Sequence, residues 1–193
     1  MIKNLDIDYE KFDAKKIGTE YTDEVYELQS IVIDNLNNKT NLVEVSKNRI
    51  FECLDYDDNE CIGIFDKKTK KLVAYADILL SKYSNDSYYK NDVVKKFNKE
   101  KGLYFRSIIV HPGFRGNKFM QKIMNYFFDF AIENKKEFIV STVDPTNSAS
   151  MHSFKKLNFE VVDRYSFEHL NHNYNRCIMF KSLQKENLIT LDK

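Results

Sequence analysis

One strand-to-helix junction constrains this chain more than any other stretch. Leu103–Val110 ends in three β-branched residues, Ile108, Ile109 and Val110, and suits a buried strand. Pro112 follows and cannot extend a strand ladder. From about Arg115, the residues Phe119, Ile123, Met124, Phe127, Phe128 and Ala131 recur at helical spacing, up to Asn134–Lys136. A short turn from a strand into a long helix leaves the first helical N–H groups unpartnered at the positive end of the dipole. A pyrophosphate can be held there by backbone alone. Arg115 and Lys118 would add direct charge. The alternative is a tight connection whose basic residues are merely solvated.

The flanking segments give the fold class. Thr19–Leu36 and Glu44–Leu54 carry helical periodicity. Glu60–Phe65 and Lys71–Leu80 are short and apolar around a polar turn, and predict an antiparallel hairpin. Ser81–Lys101 is a polar excursion with a short helix expected near Asp92–Asn98. After the long helix, Glu137–Val143 predicts a strand, Asn147–Lys156 a helix, and Phe159–Phe167 and Arg176–Lys181 two more strands. Hairpins early and alternation late predict an α/β chain with a mixed sheet. The 193 residues predict a single domain, 1–193.

Two motifs in order resemble the GNAT superfamily of acyl-CoA-dependent N-acyltransferases. The first is Val110-His111-Pro112-Gly113-Phe114-Arg115-Gly116-Asn117-Lys118-Phe119-Met120. It is similar to the family's Arg-Gly-x-Gly-x-Gly/Ala loop, with Lys118 and Met120 standing where glycine, and glycine or alanine, are usual. A helical first turn there would not require positive φ. The second runs from Asn147 through Ser150, Phe154 and Leu157 to Phe159, with Asn158 replacing the glycine that ends the helix. The resemblance covers roughly Lys71–Lys181, the motif-bearing core.

It implies a mixed sheet of about six to seven strands flanked by about four helices, with two central strands splayed apart. Pro112 and Pro145 each follow one of those strands. Acetyl-CoA is the implied co-substrate. Its expected binding residues are Ile108, Ile109, Val110, Arg115, Gly116, Asn117, Lys118, Phe119, Met120, Asn147, Ser150 and Phe154. Tyr104 falls where many members carry a glutamate base, and it is a candidate for placing water or the amine. Phe154 falls where a tyrosine often protonates the departing thiolate.

The acceptor pocket is expected to be lined by the first two helices and by polar residues inside strands. Asp77 could attract an ammonium group or take part in proton transfer, and Arg106 could pair with a substrate carboxylate. Both could instead sit at exposed sheet edges. The implied reaction is acetyl transfer to a primary amine by direct attack in a ternary complex. The competing readings are a non-catalytic acyl-CoA sensor, and an interaction module using the tail Leu183–Lys193.

Composition narrows the partners. Thirty basic and 29 acidic residues leave a formal charge of +1, so there is no global field for nucleic acid. No window reaches the roughly 18 apolar residues of a membrane span, and Met1–Glu10 lacks an apolar signal core. A cytoplasmic protein, monomer or homodimer, is expected. Cys53, Cys61 and Cys177 have neither metal nor disulfide spacing, and the histidines lack ligand spacing, so no metal is expected. The N-x-S/T matches at Asn38 and Asn85 are read as chance, and His111 as structural.

Overall fold

A computed structural model describes residues 2, 5–56, 59–80 and 92–184. In chain order the elements are β1 (Phe12–Lys16), α1 (Thr22–Asp34), α2 (Lys47–Asp55), β2 (Glu60–Asp66), β3 (Leu72–Leu80), β4 (Gly102–Val110), α3 (Phe119–Glu133), β5 (Phe138–Val143), α4 (Ser148–Lys156), β6 (Glu160–His169) and β7 (His172–Ser182). The seven strands form one sheet in the order β1-β2-β3-β4-β5-β7-β6. Only β4 and β5 run parallel; the other neighbours are antiparallel. The mixed sheet and the four helices match the expected fold class.

Alternation along the strands sends side chains to two faces. On one face Phe105, Leu103 and Ile139 pack with Ile123, Met124, Phe127 and Ala131 of α3 and with Phe154 of α4. On the other, Tyr75 and Ile109 pack with Val25, Leu28 and Val32 of α1 and Ile50 and Leu54 of α2. Further along, Leu79, Tyr104, Phe138 and Val140 form a third cluster with Val94 and Phe180. Burying these apolar surfaces on both faces is what makes the sheet the rigid floor of the site.

Several boundaries differ from the sequence expectation, each for a local reason. β1 was not foreseen: only Phe12 and Ala14 of its five residues are buried, too short a pattern to read. The long helix starts at Phe119, four residues later than expected. Pro112–Phe114 form a 3₁₀ turn, and Gly116 (φ 90°) and Lys118 (φ 58°) then leave the right-handed region. A helical first turn from Arg115 is therefore corrected, and Lys118 does require positive φ. Asn158 adopts φ 59°, as expected of a helix-ending asparagine. β6 and β7 run together through a two-residue turn, Leu170 and Asn171, both at positive φ. This backbone suits a tight hairpin even without glycine. The helix expected near Asp92–Asn98 is two 3₁₀ turns, Val94–Lys96 and Lys99–Lys101. Asn85, most of the Ser81–Lys101 excursion and the tail from Lys185 lie outside the described residues.

Candidate active site

The pairing of β4 with β5 covers only Gly102–Phe105 against Phe138–Ser141. Beyond that the strands part. At the vertex the Ser141 hydroxyl donates to the Phe105 carbonyl at 2.9 Å, so a side chain takes the last carbonyl before the gap. On its other edge β4 stays paired with β3, but the register shifts by one residue between Asp77 and Ile78, leaving Arg106 in a bulge. Bulges bend a strand and raise its twist, which turns Arg106–Val110 away from β5. Along this stretch one edge of β4 has no strand partner.

The gap opens into a cleft of about 750 Å³. Its walls are Phe105–Val110, Ser141–Val143, the loop to α3, the start of α4, and the segment from Asn35 to Leu42 after α1. Of the expected binding residues, Ile108, Ile109, Val110, Arg115, Gly116, Lys118, Phe119, Met120, Asn147, Ser150 and Phe154 all line it. Asn117 does not; its Nδ2 donates to the Phe114 carbonyl at 2.8 Å and stabilises the turn. His111 has a structural task, its Nδ1 accepting from the Gly113 N–H at 3.1 Å.

At the mouth the loop has the properties of an anion cradle. The first intrahelical bond of α3 runs from Lys122 N–H to Lys118 O, so the N–H groups of Phe119, Met120 and Gln121 have no acceptor within the helix. A Cβ built on Gly116 would meet nothing within 4 Å, so its backbone faces open space. Arg115 and Lys118 flank it. On the facing wall the Asn147 side chain caps α4 by accepting from Ser150 N–H at 3.2 Å.

Asp77 and Arg106 are neither on an exposed edge nor apart. Asp77 is buried, its Oδ1 accepting from Arg106 Nε at 2.9 Å and its Oδ2 from the Tyr75 hydroxyl at 2.9 Å. Asp77 itself does not line the cleft, whereas Arg106 does. Burial alone would lower the Arg106 pKa, but the Asp77 carboxylate outweighs it and holds the guanidinium charged. The same burial, with the Asp77 charge beside it, pushes the Tyr75 phenol well up. Burial also raises the Cys53 thiol to about 11 and pushes up that of Cys61. Tyr104 is buried behind the vertex, its hydroxyl 3.5 Å from Thr142 Oγ1, and Thr142 rather than Tyr104 reaches the cleft.

Of the two helices expected to line the acceptor pocket, α1 contributes Val32 to the described lining and α2 nothing. The sequence reading did not single out the segment after α1 that builds most of this wall. Asn38 Nδ2 donates to Thr146 Oγ1 (2.9 Å), and Thr146 Oγ1 donates to Asp144 Oδ1 (2.7 Å). Arg176 Nη1 pairs with Asp144 Oδ2 at 3.2 Å, and its Nη2 donates to the Thr40 carbonyl at 2.9 Å. A buried ion pair thus ties this wall to the end of β5 and to the interior of β7. The run Asn35, Asn37, Asn38 at the end of the first helical pattern was the available signal: Asn35 caps α1, its Nδ2 donating to the Ile31 carbonyl at 2.9 Å, and the next two amides lie beyond the helix.

The sequence pattern of the acetyltransferase (GNAT) family matches residues 23–159, most of the chain and both motifs. The chain belongs to the GNAT acetyltransferase family. Solved structures agree on the fold. An N-acetyltransferase from Staphylococcus aureus superposes with a TM-score of 0.67 at 12% identity, covering 90% of this chain and 99% of that one. The protein yncA from Salmonella typhimurium, solved with its cofactor acetyl-CoA, gives 0.65 at 14% identity, covering 92% and 96%. NAA60 of Arabidopsis thaliana, solved with a bisubstrate analogue, gives 0.68 at 11% identity, covering 90% and 99%. At these identities the likeness is one of fold. No curated protein sequence matches the chain. Among the described residues no helix is long and apolar enough to cross a membrane.

Proposed function

We propose that this GNAT chain is an acetyl-CoA-dependent N-acetyltransferase acting on a primary amine. The observation that carries the reading is the parting of β4 and β5 after Phe105 and Ser141, with the Gly113–Met120 loop at its mouth. The unpaired edge of Ile108–Val110 offers main-chain groups to the amide-containing arm of acetyl-CoA. Arg115, Lys118 and the amides at the start of α3 offer a positive cradle to its pyrophosphate. Asn147, Ser150 and Phe154 form the facing wall.

Acetyl-CoA supplies an activated acyl group on a thiol leaving group. The amine nitrogen bonds the acetyl carbon, the carbon–sulfur bond breaks, the thiolate takes up a proton and the nitrogen gives its surplus proton to water. Among the described lining residues there is no carboxylate to act as base, and both oxygens of Asp77 are engaged. Ser141 and Thr142, with Tyr104 behind Thr142, therefore position water rather than take the proton themselves. A backbone N–H of the unpaired β4 edge faces the developing oxyanion, the larger contribution in such a site. Phe154 has no proton to donate, yet a thiol of pKa about 8.5 can leave as thiolate at neutral pH.

The whole chain, 1–193, acts as one domain, cytoplasmic, as a monomer or homodimer. The absence of a carboxylate from the described lining favours one second reading, an acyl-CoA sensor that does not turn over. Calorimetry with CoA and thiol release over an amine panel separate the two: binding with release supports the enzyme, binding without release the sensor, and no binding refutes both.

A further inference from the structure

The charge of the cleft lining is one-sided. Among the described residues it contains Arg106, Arg115 and Lys118 and no aspartate or glutamate. Arg115 and Lys118 belong to the mouth loop. Arg106 stands apart from them, in the bulge where β4 and β5 begin to separate. An amine acceptor must come close to that point, and nothing in this lining attracts a bare ammonium ion.

Arg106 is also incompletely used. Its Nε is held by Asp77, while Nη1 and Nη2 are both buried and have no hydrogen-bond partner. Buried donors without acceptors are costly and rare. The second oxygen of Asp77 cannot serve them, because it takes the Tyr75 hydroxyl. Asp77 thus fixes the plane of the guanidinium and leaves its terminal edge, two N–H groups side by side, directed away from the pair. That edge matches the two oxygens of a carboxylate.

We propose that the acceptor is a primary amine whose own molecule carries a carboxylate, as an amino acid does, and that Arg106 binds that carboxylate through Nη1 and Nη2. Asp77 and Tyr75 are positioning residues that hold the guanidinium. This inference rests on the acetyltransferase reading and narrows it. Diamines and polyamines, cationic and without a carboxylate, are excluded as acceptors.

The test uses the full chain with acetyl-CoA, following thiol release. Acceptors are α-, β- and γ-amino acids, each matched with its amide and with the amine lacking the carboxyl group. At least one amino acid should be turned over with kcat/KM at least about 100-fold above both of its matched analogues, since a site built around a polar group rejects ligands lacking it. Arg106→Lys keeps a cation opposite Asp77 but loses the planar fork. It should raise KM for that amino acid by roughly tenfold or more while leaving CoA affinity unchanged by calorimetry. Equal turnover of a carboxylate-free analogue overturns the inference, as does full retention of the preference in Arg106→Lys, or CoA binding with only carboxylate-free amines turned over. The wild-type comparison decides even if the variant does not fold. Failure to bind CoA, or CoA binding with no thiol release for any amine, would instead overturn the acetyltransferase reading itself.

Discussion

The loop Gly113–Met120 and the cluster around Arg106 open onto the same cleft but are made by different means. The loop is a product of local backbone: a proline that ends a strand, two residues at positive φ, and the unpartnered amides of a helix start. The Arg106 cluster is made of side chains brought together from β3 and β4, Tyr75, Asp77 and Arg106, and it works only if every partner is in place. A local device tolerates change elsewhere in the chain and can be damaged at one backbone position. A buried side-chain network fails as a unit.

The largest effect is expected where that network is broken. Asp77→Leu leaves the Arg106 guanidinium buried without its carboxylate, and urea unfolding should show a loss of about 3–5 kcal/mol. Adding Arg106→Met removes the stranded charge and should recover most of it. If the double variant still binds CoA while losing acceptor turnover, the two ends of the cleft are separable as described. A stable Asp77→Leu single variant would show that the pair does not behave as a buried unit.

The loop should respond the opposite way. A valine at position 116 finds space for its Cβ but must adopt φ near 90°, a strain of order 1–3 kcal/mol. The loop will escape by moving its amides. CoA affinity should fall by roughly 10- to 100-fold, with turnover at saturating acetyl-CoA changed far less. A Kd within about twofold of wild type would place the pyrophosphate elsewhere.

The same contrast decides what could be read from sequence. Arg115, Gly116, Asn147, Ser150 and Phe159 sit at fixed offsets within two short segments, so both motifs were legible, as were the strands that carry them. The start of α3 was misplaced because Gly116 and Lys118 adopt backbone conformations that periodicity cannot register. β1 was lost because its neighbours Asp13, Lys15 and Lys16 dilute a five-residue signal. Asp77 and Arg106 were legible as odd residues in apolar strands, but not as partners: 29 positions separate them, and only the register of β3 against β4 brings them together. For the wall Asn35–Leu42 the asparagine run was visible but its tie to Asp144 and Arg176 was not, because that tie spans more than a hundred residues.

That tie offers a smaller, pH-dependent test. Burial alone would raise the Asp144 pKa, but hydrogen bonds from Thr146 and Thr40 and the Arg176 charge win, and it lies below the ordinary aspartate value. A depressed carboxylate stabilises the fold above its unfolded pKa, near 3.9, and that contribution disappears as pH falls through the folded value. Asp144→Asn should cost about 1–3 kcal/mol at pH 7. Its stability should then depend less steeply on pH between about 5 and 3 than that of the wild type. Parallel pH curves for the two proteins would show that Asp144 is not depressed.

The smallest effect is expected at Phe154, where the cleft meets the core. Its ring is buried and packs edge-on to Phe159, centroids 4.9 Å apart. A tyrosine there gains a hydroxyl that could protonate the departing thiolate. Against that gain, a thiolate of pKa about 8.5 leaves readily near neutrality, and a new hydroxyl on a ring packed in the apolar core must find a partner. Phe154→Tyr should therefore change kcat by less than roughly threefold, about 0.7 kcal/mol, and lower stability by about 1 kcal/mol. A tenfold rise in kcat, with a pH profile that bends down as the phenol ionises, would mean that thiolate departure limits turnover in the native chain. The slow step would then lie on the cofactor side of the cleft rather than at the acceptor.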